Sequence, residues 1–216
     1  MIVMHTTGDR AAEPVLTARG RATRERIVAA AAELMHERGV AGTSLDDVRA
    51  ATGTSKSQLY HYFADKAALV GAVIGRQVGQ VLQVQQPELD DLGSLAALRR
   101  WRDRVVEVNR HTGCVGGCPL GRLAGELVES DPSARADLVA GFGEWREHLA
   151  VGLRAMQARG ELAGGADPEE LALGLLAAAQ GGLLLAQTHR SVEPLEAALD
   201  LALAGVAVHL VVSGDR

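Results

Sequence analysis

The chain has little aromatic residue, little lysine and little cysteine, and each scarcity excludes something. Phe, Trp and Tyr together make up 3% of its 216 residues, while apolar residues make up 47%. The core must therefore be built from Ala, Leu and Val, a diet that favours helices over strands. Two cysteines are too few for a disulfide scaffold at this length. The net charge of −5 argues against wholesale coating of nucleic acid. The first ten residues, MIVMHTTGDR, lack the apolar run of a secretory leader. The longest apolar stretch, Leu171 to Ala186, is interrupted by Gln180 and falls short of the roughly 18 residues a membrane span needs. These features predict a cytoplasmic protein with no membrane segment. Enzyme signatures are also absent: no Gly-x-Ser-x-Gly elbow, no phosphate loop ending in Lys-Ser/Thr, no His-Glu-x-x-His.

What is present is unevenly placed. Residues 1–66 carry nine Lys+Arg against eight Asp+Glu; residues 67–216 carry thirteen against nineteen. The stretch TGTSKSQLYHYFADK, residues 52–66, holds both tyrosines, both lysines and one of the two phenylalanines. Such concentration in so poor a sequence marks a segment with a specific task.

The periodicity predicts an all-α chain of about nine helices with no repeat of fixed period. Residues 1–20 read as an irregular tail. A first helix starts near Thr23, carries Ile27, Ala31, Leu34 and Met35 on one face, and ends at Gly39. Thr43 and Ser44, followed by Asp46 and Asp47, open a short second helix, and Gly53 supplies the turn. Ser55, with Gln58 three positions on, opens a third. Asp65 caps a fourth, expected to run to about Gln86 before Pro87. Helix five spans about 94–109, with Leu98, Trp101, Val105 and Val108 in one stripe. Helix six follows GCVGGCPLG from Pro119 to about Glu129. Helix seven starts near Pro132 and aligns Leu138, Phe142, Trp145, Leu149 and Leu153. Helix eight opens on Asp167, Pro168 and Glu170, and helix nine follows Glu193 and fades near Ser213. Helices eight and nine are apolar nearly all round, so each must be buried, and a second copy of the chain is the natural cover. Gly174, Gly181 and Gly182 would allow close helix approach.

Two short helices joined by a glycine turn form a helix-turn-helix candidate. Thr54, Ser55 and Ser57 offer hydroxyls, Lys56 a charge, Gln58 an amide for an adenine edge, and Tyr60 and His61 further donors. The start of helix three offers N–H groups to a phosphate. Lys66 sits where the helix dipole disfavours a cation, so an outside anion is its expected partner. Leu59 and Phe63 are assigned to the core. The same hairpin is also compatible with a protein-docking adaptor.

The run ERIVAAAAELMHERGVAGTSLDDVRAATGTSKSQLYHYFADKAALV, about residues 22–75, resembles the N-terminal domain of the TetR family of transcriptional repressors. The most specific parts are the Gly39 entry to helix two and SKSQLYHYFADK. Arg49 departs from the family's usual Ile or Ala, while Ala50 keeps the small residue. The resemblance implies a homodimer bound to a palindromic double-stranded operator, with helix three in the major groove and half-sites about 34–36 Å apart. By position it implies DNA contacts at Thr43, Thr54, Ser55, Lys56, Tyr60, His61 and Lys66. It divides the chain into a tail (1–20), a DNA-binding head (21–66) and a ligand-binding and dimerisation body (67–216). It further implies that the last two helices form a four-helix dimer bundle.

Helices four to seven are then expected to enclose a cavity for a small-molecule inducer, with no cofactor. Trp101, Cys118, Phe142, Trp145 and Gln180 are its candidate contacts, with Asn109, His111 and His148 as further polar groups. The segment around Cys118 is similar to one in a subset of the family, where Cys-Pro/Leu-x-Gly opens helix six. Three readings of the cysteines stay open. They are small packed residues, or Cys118 and Cys114 form a redox or electrophile sensor with the Cys118 thiol lowered by the helix N-terminus, or His111, Cys114 and Cys118 bind a metal.

Overall fold

The computed structural model describes residues 16–211, and the expectations for residues 1–15 and for Ser213 lie outside that range. Among the described residues nine α-helices follow in chain order: α1 Ala18–Arg38, α2 Leu45–Thr52, α3 Lys56–Tyr62, α4 Lys66–Gln83, α5 Leu95–His111, α6 Pro119–Leu127, α7 Pro132–Ala158, α8 Pro168–His189 and α9 Glu193–Val208. A short 3₁₀ turn at Glu88–Asp90 precedes α5. Among the described residues the only extended pairing is an isolated bridge between Leu162 and Leu210.

The capping chemistry read from the sequence sets most of the boundaries. Ser44 and Asp47 form a reciprocal box at α2, and Ser55 and Gln58 form another at α3. Asp65 accepts from the Ala68 N–H at α4. At α8, Asp167 accepts from the N–H groups of Glu169 and Glu170, so Glu170 takes part through its backbone. Gly39 closes α1 with φ 76°, a conformation that costs glycine nothing.

The start of α1, the ends of α4, α5, α6 and α9, and the length of the apolar α8 differ from expectation. The tail expected over 1–20 gives way to helix at Ala18, because the Thr17 hydroxyl caps α1 by accepting from the Gly20 N–H. Helix α4 stops at Gln83 rather than Gln86, and the chain tightens into i→i+3 bonds, Gln85 N–H to Leu82 O and Gln86 N–H to Gln83 O. The residue before a proline avoids the helical region, so the helix yields early. Helix α8 reaches 22 residues by extending beyond the apolar run at both ends, and by length and composition it is apolar enough to cross a membrane. It packs instead against α7 and α9.

Helix α1 packs on α2 and α4, forming with α3 a small head at one end. The body joins α4 and α6 to α7, α7 to α8, α8 to α9 and α9 to α5. At Gly182 a Cβ would lie 2.9 Å from Leu195 Cα, so α8 and α9 approach as closely as backbones allow. A Cβ added at Gly174 or Gly181 would meet nothing beyond its own helix within 4 Å, and both residues are exposed. Leu59 (1% exposed) and Phe63 (2%) anchor α3, as their i, i+4 spacing predicts.

Leu59→Ala should therefore destabilise the chain by about 2–5 kcal/mol. Tyr60→Ala, one residue on, should stay within about 0.5 kcal/mol. Urea melts of the two variants check the orientation of α3.

Candidate nucleic-acid interface and ligand cavity

With Leu59 and Phe63 turned inward, α3 presents Lys56, Ser57, Tyr60 and His61 to solvent. The pairs 56/60 and 57/61 are each one helical turn apart, so the four share a face. Tyr60 is 47% exposed, and the Lys56 ammonium lies 6.0 Å from its ring centroid. His61 and Tyr62 meet edge to face at 5.0 Å. Ser55 is exposed and accepts from the Gln58 N–H at 3.2 Å, leaving its own hydroxyl hydrogen to turn outward. The Gln58 Oε1 accepts from the Ser55 N–H, so reading an adenine with both amide atoms requires breaking the cap.

Three residues expected at the DNA surface are otherwise engaged. Thr43 is 1% exposed and donates its hydroxyl to Gly39 O at 2.9 Å. Thr54 is 5% exposed, with its hydroxyl 2.8 Å from that of Thr52. Both brace the turns that flank α2 and α3. Lys66 finds an internal partner in place of the outside anion: its ammonium donates to Val40 O at 2.6 Å. The Val40 N–H donates to Glu126 Oε2 at 2.7 Å. One residue of the α1–α2 turn is thus held from α4 and from α6 at once. Sequence reasoning missed this contact, because Glu126 and Val40 lie 86 residues apart and only the Arg122–Glu126 spacing is a local signal.

It also passed over the arginines of α1. Arg19, Arg21 and Arg26 are exposed, and the Arg24 guanidinium lies 5.3 Å from the Phe63 ring centroid. A Cβ on Gly20 would lie 3.6 Å from the Tyr62 hydroxyl, so the start of α1 abuts the end of α3. Basic side chains from α1 consequently flank the exposed face of α3.

In the body a cavity of about 300 Å³ opens between α4, α5, the start of α6, α7 and α8. Of the five residues expected there, Cys118 and Trp145 line it. Trp101 is wholly buried behind the wall and donates Nε1–H to Gln85 Oε1 at 2.7 Å; Gln85 is the lining residue. Phe142 lies outside the lining, and Gln180 stands one step back, with Nε2 3.5 Å from Cys118 Sγ. Asn109 also lines the cavity, while His111 and His148 do not.

The thiol expectation reverses in direction. Burial pushes the Cys118 thiol up, and the opposing N–H groups of Gly121, Gln180 and Leu120 do not overcome it. Cys114 is buried at φ 56° in the loop before α6, and both cysteines are free. No cluster of His, Cys, Asp and Glu suited to a metal occurs among the described residues.

Residues 27–73 match the family model described as bacterial regulatory proteins, tetR family, and residues 94–202 match the tetracyclin repressor-like C-terminal domain. A transcriptional regulator of the helix-turn-helix type from the lacX 3′ region of Lactococcus lactis subsp. lactis is 31% identical over 187 residues, 84% of this chain and 91% of that protein. The repressor DhaR of Mycobacterium sp. strain GP1 is 26% identical, covering 80% of this chain and 86% of its own. A TetR transcriptional regulator from Chloroflexus aurantiacus J-10-FL superposes with a TM-score of 0.74 at 29% identity, over 90% of this chain and 98% of that one.

In a Cys114→Ser variant, alkylation of Cys118 by iodoacetamide should be slow at neutral pH. It should rise with a midpoint above the ~8.5 of free cysteine, because the raised thiol stays protonated through that range. A midpoint below that value would restore the sensor chemistry.

Two family models tile the head and most of the body, and the exposed face of α3 lies within the first of them; the chain belongs to the TetR family of bacterial transcriptional regulators.

Proposed function

We propose that the protein is a cytoplasmic, ligand-responsive repressor. Two copies hold a palindromic operator, and a small molecule in the body cavity releases it. The exposed face of α3 carries this reading: Ser55, Lys56, Tyr60 and His61 contact the duplex, with Arg19 and Arg21 adding charge beside them. Lys66, Thr43 and Thr54 shape the head (21–66) from within. The body (67–216) supplies the cavity and the pairing surface.

The outer face of α8 and α9 supports pairing. Leu184 is 64% exposed, Leu201 76% and Val208 82%, with Leu173, Leu185, Gly174 and Gly181 on the same side of the pair. So large an apolar stripe is unusual on a solitary soluble chain. A four-helix bundle with a second copy would bury it and set the spacing of the two heads.

Release follows from the walls of the cavity. Gln77, Gln80 and Val81 belong to α4, and Cys118 and Pro119 open α6. Along α4, Lys66 is about 16 Å from Gln77, and along α6, Glu126 is about 10 Å from Pro119, at 1.5 Å per residue. Both routes end on Val40. A ligand that parts α4 from α6 pulls the two holds on that residue in different directions and re-aims the head.

Selection of duplexes from a random pool, followed by anisotropy titration at several salt concentrations, tests the reading. The expected result is a palindrome. Lys56→Ala should weaken binding evenly across sequences and flatten the slope of log K against log salt by about 0.9 per lost phosphate contact, hence nearly twice that for two heads. Failure of the native protein to bind any selected duplex overturns the proposal. In sedimentation, Leu201→Arg should leave the chain folded, shift it to monomer and cost it the palindrome.

A further inference from the structure

The loop between α5 and α6, residues 112–118, meets parts of the molecule that the sequence keeps far apart. Thr112, Val115, Gly117 and Cys118 line the cavity, and Val115 is 62% exposed, so it stands at the mouth. On the head side, a Cβ at Gly116 would lie 3.2 Å from His36 Cε1, in the last turn of α1. On the other side the loop is seated against α8 and its cap. Gln180 Nε2 lies 3.5 Å from Cys118 Sγ, a Cβ at Gly117 would overlap Gln187 Oε1, and the Arg190 guanidinium donates through Nη1 to Cys114 O at 3.1 Å. This last bond has a second feature. Cys114 (φ 56°) and Arg190 (φ 54°) are the two non-glycine residues with left-handed backbone among the described residues, and they hold each other. A residue with a Cβ enters that region at a cost, and stays only where its surroundings fix it. Cys114 is 4% exposed, and its N–H donates to Asn109 O at 2.9 Å.

Resting on the reading of the chain as an operator-binding repressor with an inducer cavity, we infer that this loop is a strap: seated, it braces the head at His36 for operator binding, and a molecule passing Val115 into the cavity lifts it. Lifting breaks the Arg190–Cys114 bond and lets both residues leave the left-handed region, so the lifted loop is relieved of a backbone cost that the seated one bears. The two states therefore lie closer in energy than a relaxed seated loop would place them, and a ligand of modest differential affinity suffices to exchange them. The contact at His36 gives the cavity a second route to the head, beside the hold on Val40. Linkage runs both ways: whatever lifts the strap weakens operator binding, and the operator in turn keeps the strap seated.

Alkylation of Cys114 by iodoacetamide reports the lifted state, since the seated loop buries that residue. The full-length chain carries Cys118→Ser so that one thiol is read; should that variant fail to fold, tandem mass spectrometry of the native protein separates the two. The rate should be insensitive to urea below the unfolding transition, the mark of a local opening. Arg190→Gly removes the guanidinium yet suits the left-handed cap. It should raise the rate about tenfold or more, the worth of a hydrogen bond to a charged group, with the urea midpoint held. A selected operator duplex at about thirtyfold its Kd should slow labelling roughly tenfold or more, and an unrelated duplex should not. A rate that the operator leaves unchanged, a rate that tracks global unfolding in urea, or an Arg190→Gly effect that is absent or matched by a fall in the urea midpoint overturns the inference. Should no duplex bind, the repressor reading falls, and the Arg190→Gly arm alone decides whether the loop lifts from α8.

Discussion

The two-sided hold on Val40 is the constraint on which the rest of the arrangement depends. The α1–α2 turn gives its N–H to Glu126 and its carbonyl to Lys66. A charged partner on each side makes these stronger than ordinary backbone hydrogen bonds to neutral groups. Lys66 is half-buried and Glu126 is exposed, which tempers that strength through solvent screening. The head is therefore not a bead on a string. Its pose follows from where α4 and α6 begin and end, and those two helices are also walls of the cavity. The α1–α2 turn of the head is thereby tied to the first residue of α4 and to α6.

The neighbouring packing sharpens this coupling. A Cβ at Gly141 of α7 would lie 2.4 Å from Val78 Cγ2, so α7 and α4 touch with no slack. Interiors packed this tightly transmit displacement rather than absorb it. Arg76 pairs with Glu25, tying α4 to α1 as well. Helix α4 thus meets the head through three separate contacts, on Val40, on Glu25 and against α1.

Much of the fold was legible because its signals are local. Capping boxes at Ser44 and Ser55, glycines at 39 and 53, and prolines at the starts of α6, α7, α8 and α9 all act within a turn of where they stand. The division of α3 into inward Leu59 and Phe63 and outward Lys56 and Tyr60 follows from helical spacing alone. What escaped is long-range. Residue type gave Thr43 and Thr54 the look of DNA donors, but burial and a nearby oxygen atom decided otherwise. Lys66 lacked a local anion and so suggested an external one, when a carbonyl 26 residues back sufficed. Trp101 shared a stripe with cavity residues, yet a buried Gln85 stands in front of it. The Cys118 thiol obeyed burial rather than the helix start, a competition that no spacing rule settles.

The outward stripe on α8 and α9 reaches beyond shape. If two copies pair through it as proposed, the abundance of the paired form scales as the square of the total chain until most chains are paired. A cell making half as much of the protein would then field about a quarter of the competent species in that dilute regime. Dosage itself would then be a control, set by the hydrophobicity of a few leucines and by how strongly the gene is expressed.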